Sequence, residues 1–322
     1  MATERDLPTD TPPAVPRLSP EHYEPARVPP QVLRHAGRPD TLGVGRPGKI
    51  GLLELGFAKV GERTELVSHY QKSPLQIMRP LYFDPHRPDL PITFLMATGG
   101  GVLQADRLRT DLTFGPDSSG LLTTQAATKV YRMEHDYAVQ QVFLTAGPGA
   151  YVEYLPDVTI PFADSRFYQR TVVTVDPTAT VLVSESMTAG RLARGERHAY
   201  EVFASDLELR RPDGQLVALD AVRLEPRGSG VTGPAVLGGH DLMAAFYAVT
   251  PLAPAAEVAD ALHAALDGSG LLYGVSVLPQ DSGAWLRVLS SDSVALHAAL
   301  EHAWDAVRRL LTGTPAPLLR KS

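Results

Sequence analysis

The side chains able to do chemistry in this sequence are oxygen and nitrogen donors: ten histidines, thirty-six Asp and Glu, and no cysteine among 322 residues. Disulfides, thiolate metal sites and cysteine nucleophiles are excluded, and a reducing compartment fits. The histidines include no His-x-x-x-His pair with a Glu between, and His297 and His302, five apart, fall on different faces of a helix. No preformed zinc or nickel cage is visible. No G-x-S-x-G elbow occurs, so hydrolase chemistry of that type lacks its starting serine. Gly43 to Lys49 (G-V-G-R-P-G-K) has phosphate-loop spacing until Ile50 stands where Ser or Thr would meet magnesium. Pro47 also removes an amide from any cradle, which argues against a nucleotide there.

One block asks for more explanation than a surface turn. Thr98-Gly-Gly-Gly-Val-Leu-Gln-Ala-Asp-Arg107 follows the apolar run from Ile92 to Met96 and leads into a strand pattern. Its glycines permit positive φ or a close backbone approach, and Asp106 adds a carboxylate at the bend. Two readings stay open: a turn capped by Asp106, or Asp106 as a ligand for a hard or borderline cation.

The elements that must position this block read as short strands. Leu108, Thr110, Leu112 and Phe114 alternate with Arg109, Asp111 and Thr113, a half-buried strand ending at Gly115-Pro116-Asp117. Similar segments follow at 120–125, 139–145, 150–155, 167–175 and 180–186, and Pro212-Asp213-Gly214 marks a hairpin. The connections are too short for crossover helices, which favours antiparallel or solenoid-like stacking over a doubly wound fold. No repeat of fixed period is evident. The last seventy residues differ. Helices are expected near 254–267 and 293–311, the second capped by Asp292 or Ser293, striped by Leu296, Leu300, Trp304, Val307 and Leu311, and stopped at Gly313.

Ten of the 28 prolines fall in residues 1–47, a stretch without apolar period, read as a disordered leader that is either solvated or a docking arm, ahead of one β-rich domain over 48–322. The net charge of −6 offers no footprint for nucleic acid or anionic membrane, and no apolar run is long enough to span a bilayer. The N-terminus lacks a basic start and apolar stretch, so a cytoplasmic location is expected.

Several ordered blocks together resemble the urease accessory protein family UreD (UreH). They are S-P-L-Q-I-M-R-P-L-Y (73–82), T-G-G-G-V-L-Q-A-D-R (98–107), L-L-T-T-Q-A-A-T-K-V-Y-R (121–132), Y-V-E-Y-L-P-D-V-T-I-P-F (151–162), S-E-S-M-T-A-G-R-L-A-R-G-E (184–196), Y-G-V-S-V-L-P (273–279) and R-V-L (287–289). Where the family usually has Gly-Gly before the aspartate, this chain has Gln104-Ala105. The resemblance implies a mainly β, irregular β-helix-like body of stacked sheets with two helices near the C-terminus. It also implies a non-enzymatic scaffold, without a tightly bound cofactor, that binds UreF and through it the GTPase UreG. This assembly would dock on the urease apoprotein for nickel insertion.

A carrier that must release nickel is better served by scattered oxygen ligands than by a closed histidine cage. On the matched blocks, a transient Ni²⁺ path would use Asp106, Glu185 and Glu196, with Glu153 a weaker candidate. Gly99, Gly100, Lys129, Tyr131, Arg132 and Arg191 would shape the loop or a partner surface. The competing reading is a β-solenoid carbohydrate-active enzyme using paired carboxylates such as Asp106 and Asp111; on one strand these point to opposite faces, which argues against it.

Overall fold

The computed structural model describes residues 15–37 and 49–319. Alternating apolar and polar residues, broken every few positions by Gly, Pro and Asp, produce seventeen strands among the described residues, and these fall into two facing sheets. The first sheet contains β1 (Ile50–Val60), β2 (Arg63–Lys72), β5 (Arg107–Phe114), β8 (Ala138–Ala146), β11 (Arg166–Val175), β13 (Val202–Arg210) and β14 (Leu216–Leu224). Its order is β14-β13-β11-β8-β5-β1-β2. The second contains β3 (Leu75–Ile77), β4 (Ile92–Ala97), β6 (Ser119–Thr124), β9 (Tyr151–Tyr154), β12 (Thr180–Thr188), β15 (Leu242–Val249), β16 (Leu272–Val277) and β17 (Gly283–Ser290). Its order is β16-β17-β15-β12-β9-β6-β4-β3, with β7 (Thr128–Val130) and β10 (Thr159–Pro161) joined beside β12.

The chain alternates between the sheets: β5 feeds β6, β8 feeds β9, and β11 feeds β12. Neighbours from successive passes are therefore parallel, as in β5–β8, β8–β11, β6–β9 and β9–β12. This is the β-solenoid-like arrangement expected from the short connections. Antiparallel pairs finish the first sheet, β1 with β2 and β13 with β14, the second being the hairpin read at Pro212-Asp213-Gly214.

Side chains alternate across each strand, so each sheet has an inner and an outer face. Leu55, Phe57, Leu112, Phe114, Leu144, Val173, Val181, Val183 and Leu207 fill the space between the sheets. The outer face of the second sheet, with Leu121, Leu182, Phe246, Leu286 and Val288, is covered by two helices. With the two short helices of residues 15–37 named α1 (Pro20–Tyr23) and α2 (Pro30–Leu33), these are α3 (Ala255–Leu266) and α4 (Ser293–Thr312). The Asp292 carboxylate accepts the Val294 and Ala295 amides at 2.8 and 3.1 Å, and Gly313 ends α4 at φ 70°. Trp304 is buried in this layer as its spacing required.

Residues 15–37 correct the expectation of a disordered leader. They lie on the outer face of the first sheet, where Val32 is fully buried among Tyr137, Val139, Tyr168, Val202 and Ala204. A test for apolar period misses this, because the segment is held mainly by ion pairs and by hydrogen bonds to its carbonyls. The remainder of the leader, and the phosphate-loop-like stretch except Lys49, lie outside the described residues. Among the described residues no helix is long and apolar enough to cross a membrane.

Candidate functional site

The glycine-rich block lies against β7. The Val102 amide donates to the Lys129 carbonyl at 2.8 Å, and the Tyr131 amide returns to the Val102 carbonyl at 2.9 Å. A Cβ on Gly101 would stand 2.4 Å from the Lys129 carbonyl oxygen and 2.6 Å from the Tyr131 ring, so this approach requires glycine. Ala105 occupies the left-handed region at φ 60°, at one of the two positions where the resemblance implies glycine. Gln104 at the other accepts the Glu134 and His135 amides, each at 2.7 Å.

Asp106 is 1% exposed, and its two oxygens accept the amides of Lys49 at 2.9 Å and Leu103 at 2.8 Å. It fastens the loop to the start of β1. Asp111 is engaged by Arg109 at 2.7 and 2.8 Å, so neither carboxylate stands ready as an acid–base partner for the other. That removes the geometric basis of the glycosidase reading.

Seven of the expected residues share one end of the body. A Cβ on Gly100 would meet the Tyr131 hydroxyl at 3.0 Å, and the Tyr131 ring packs on Phe162 at 4.9 Å. Arg191 covers the other side of Phe162 at 4.0 Å and pairs with Glu196, which also accepts the Ala163 amide at 3.1 Å. The hydrogen-bonded Arg191 guanidinium holds the Glu196 carboxyl below the usual carboxylate range. Arg132 is exposed, 3.6 Å from Asp164, and Gly99 and Lys129 are also exposed.

Glu185 stands apart from this group. It follows Val181 and Val183 on the inner side of β12, so its carboxylate enters the space between the sheets. The Thr171 hydroxyl of β11 donates to it at 2.6 Å and the Ser205 hydroxyl of β13 at 2.9 Å. Glu185 is half-buried and lines a cavity of about 20 Å³ with Gln169, Ser205, Asp220, Met243 and Arg287. Burial pushes its carboxyl up, and likewise raises the phenols of Tyr154 and Tyr247. Asp220 receives both the Tyr247 hydroxyl and the Arg287 guanidinium.

Glu153 faces the other way. It lies on the outer side of β9 beneath α4, fully buried, accepting the Tyr151 hydroxyl at 2.8 Å and Arg308 at 3.3 Å, while Arg308 also pairs with Asp84. Beside it, a cavity of about 480 Å³ opens between the second sheet and α4, lined by Leu155, Ser186, Phe246, Leu300 and Trp304. Among the described residues no three His, Asp or Glu side chains converge closely enough to hold a metal ion.

Sequence reasoning missed Gln169, Asp220, Arg287, Asp84 and Arg308. For Arg308 a signal existed: it stands four residues after Trp304, on the edge of an otherwise apolar stripe. Asp220 and Arg287 become partners only when two distant strands face each other.

A family model described as "UreD urease accessory protein" matches residues 49–322. Similar proteins include "Urease accessory protein UreD 2" of Streptomyces griseus, 62% identical over 288 residues, covering 89% of this chain and 98% of that protein. "Urease accessory protein UreD" of Haloarcula marismortui is 37% identical over 86% of this chain and 92% of its own length. The protein of the same name from Cenarchaeum symbiosum is 33% identical over 87% of this chain and 99% of its own length.

Proposed function

The chain belongs to the UreD urease accessory protein family, and from that premise we propose that it joins UreF, and through UreF the GTPase UreG, to the urease apoprotein and assists nickel insertion. It is an accessory protein of urease maturation and not an enzyme. We place this work in the cytoplasm, where a cysteine-free chain loses nothing to reduction.

The single observation that carries the nickel reading is Glu185. Its hydrogen-bond partners are the neutral side chains of Thr171, Gln169 and Ser205, in a polar space enclosed by two sheets. An oxygen ligand so placed attracts a borderline divalent cation and releases it more readily than an imidazole set does. Asp106 and Glu196 serve this path by fastening the glycine-rich end, since backbone amides and Arg191 use their oxygens. Gly99, Gly100, Lys129 and Arg132 are exposed and, with the half-buried Tyr131 beneath them, make up the surface offered to UreF. The stripe on α4 packs inward, with Leu311 half-buried at its end.

The test is activation of apo-urease in cells that carry UreF and UreG, with and without this chain. With Glu185→Gln, nickel in purified urease is expected to fall about tenfold at unchanged UreF co-purification, the loss of roughly 1.4 kcal/mol of cation stabilisation. Normal nickel content with that variant ends the interior path, whereas failure of UreF to co-purify with the unaltered chain ends the scaffold reading.

A further inference from the structure

The family match begins at residue 49, yet residues 15–37 cover the outer face of the first sheet with a specific set of contacts. Arg17 places its guanidinium on Glu54 of β1 at 2.7–2.9 Å and over the Tyr70 ring at 4.3 Å. Two backbone carbonyls are read by side chains of the sheet. Arg109 of β5 donates to the carbonyl of His22, and Gln141 of β8 donates to that of Tyr23 at 2.8 Å. Arg107 takes the Glu24 carboxylate at 2.9 Å. Further along, Val32 enters the pocket made by Tyr137, Val139, Tyr168, Val202 and Ala204, and Arg34 pairs with Glu225.

This pattern is that of a bound peptide. Carbonyl contacts that ignore side-chain identity hold the last residues of the single turn α1, three charge pairs fix the register, and one apolar anchor on α2 fills a pocket. Within the segment only Pro29 and Val32 are buried, so it adds little to the cores that hold the sheets together. The segment is continuous in sequence with β1, so its effective concentration at the face is high.

We propose that the outer face of the first sheet is a peptide-binding surface and that residues 15–37 are its tethered ligand, a strap that leaves and rebinds while the two-sheet body stays folded. The ligand class is a segment of short helical turns with a basic residue, an acidic residue about seven positions later and a small branched apolar residue about eight after that, the register set by Arg17, Glu24 and Val32.

The experiment uses the full chain carrying Arg17→Ala, Glu24→Ala and Val32→Asp, which weakens the strap and leaves the sheet face intact. The probe is a fluorescein-labelled synthetic peptide of residues 15–37, followed by anisotropy. The variant is expected to bind it at least about tenfold more tightly than the unaltered chain, whose surface is already filled, and added salt is expected to weaken binding. A folded variant that takes up no peptide overturns the proposal. So does a variant that fails to fold. As an independent measurement, hydrogen exchange on the unaltered chain should release the Glu24, Val32 and Leu33 amides while β8 and β11 remain protected; release only together with those strands overturns it as well.

Discussion

Arg308 of α4 donates to Glu153 of β9 across 3.3 Å, in a place where neither side chain reaches solvent. The same guanidinium pairs with Asp84, so one cation serves two carboxylates and ties the last helix to the second sheet. Burial alone pushes the Glu153 carboxyl up, and Arg308 is the largest influence opposing that shift. Arg308→Met should therefore destabilise by about 3–5 kcal/mol, because it leaves buried carboxylates uncompensated. Adding Asp84→Asn and Glu153→Gln should recover much of the loss. Urea denaturation of the single and triple variants measures both, and equal midpoints for the two would contradict the account.

Gly101 tests the glycine-rich end. Gly101→Ala drives a methyl into the Lys129 carbonyl and the Tyr131 ring, and it should cost about 1–3 kcal/mol as the loop lifts from β7. Gly99→Ala, which would meet its nearest neighbour at 3.6 Å, should be nearly silent by comparison. Thermal melts of the two variants distinguish a specific close approach from a general wish for flexibility.

Glu185 gives a pH-dependent prediction. Its folded value is raised, so ionisation opposes folding. Stability is complete below the unfolded carboxyl value of about 4.3 and is lost as pH rises through the folded value. Glu185→Gln removes that loss. The variant should melt higher than the unaltered chain at pH 7.5, with the gap closing toward pH 4; a gap constant across that range would show that burial of the charge is not its cause.

His22 gives the opposite slope. In the docked strap its imidazole is depressed, first by burial and then by Arg109, against the weaker pull of Asp111 and Glu54, with Arg17 adding to the depression. His35 is depressed by burial and by Arg166 and Arg34, against Glu201. Docking is complete above the free value of about 6.5 and is lost as pH falls from there through the docked values. Exchange at the strap amides, corrected for intrinsic rate, should therefore lose protection between pH 7.5 and 5.5. In a His22→Gln, His35→Gln variant this loss should disappear.

Arg132 separates stability from recognition. It is 68% exposed and 3.6 Å from Asp164, so Arg132→Ala should change unfolding by less than about 1 kcal/mol. Pull-down of UreF should nevertheless weaken, and undiminished capture would remove Arg132 from the partner surface.

The strands and the two long helices were legible because their cause is local. Leu108 to Phe114 alternates, Asp292 caps, and Trp304 and Val307 share a stripe, each within a few residues of sequence. The coil itself was legible only by exclusion of crossover helices, since β5, β8 and β11 share a shape without sharing a sequence. The site divided in the same way. The glycine-rich block announced itself, but the surroundings of Glu185 are built from β11, β12, β13, β14, β15 and β17, and no spacing within one strand encodes that meeting. The strap escaped notice because salt bridges leave no periodic trace.

The alternation of β5, β6, β8 and β9 between two sheets means that the parallel hydrogen-bonded neighbours in either sheet are a full lap of chain apart. Such a body cannot zip up from a hairpin; it must be wound, each lap laid on the one before, and partly wound chains present a bare rim. Slow refolding and a tendency to clump when made in excess follow from that geometry, as does the value of closing the first sheet with the self-contained hairpins β1–β2 and β13–β14, which cap the coil against a neighbour's edge.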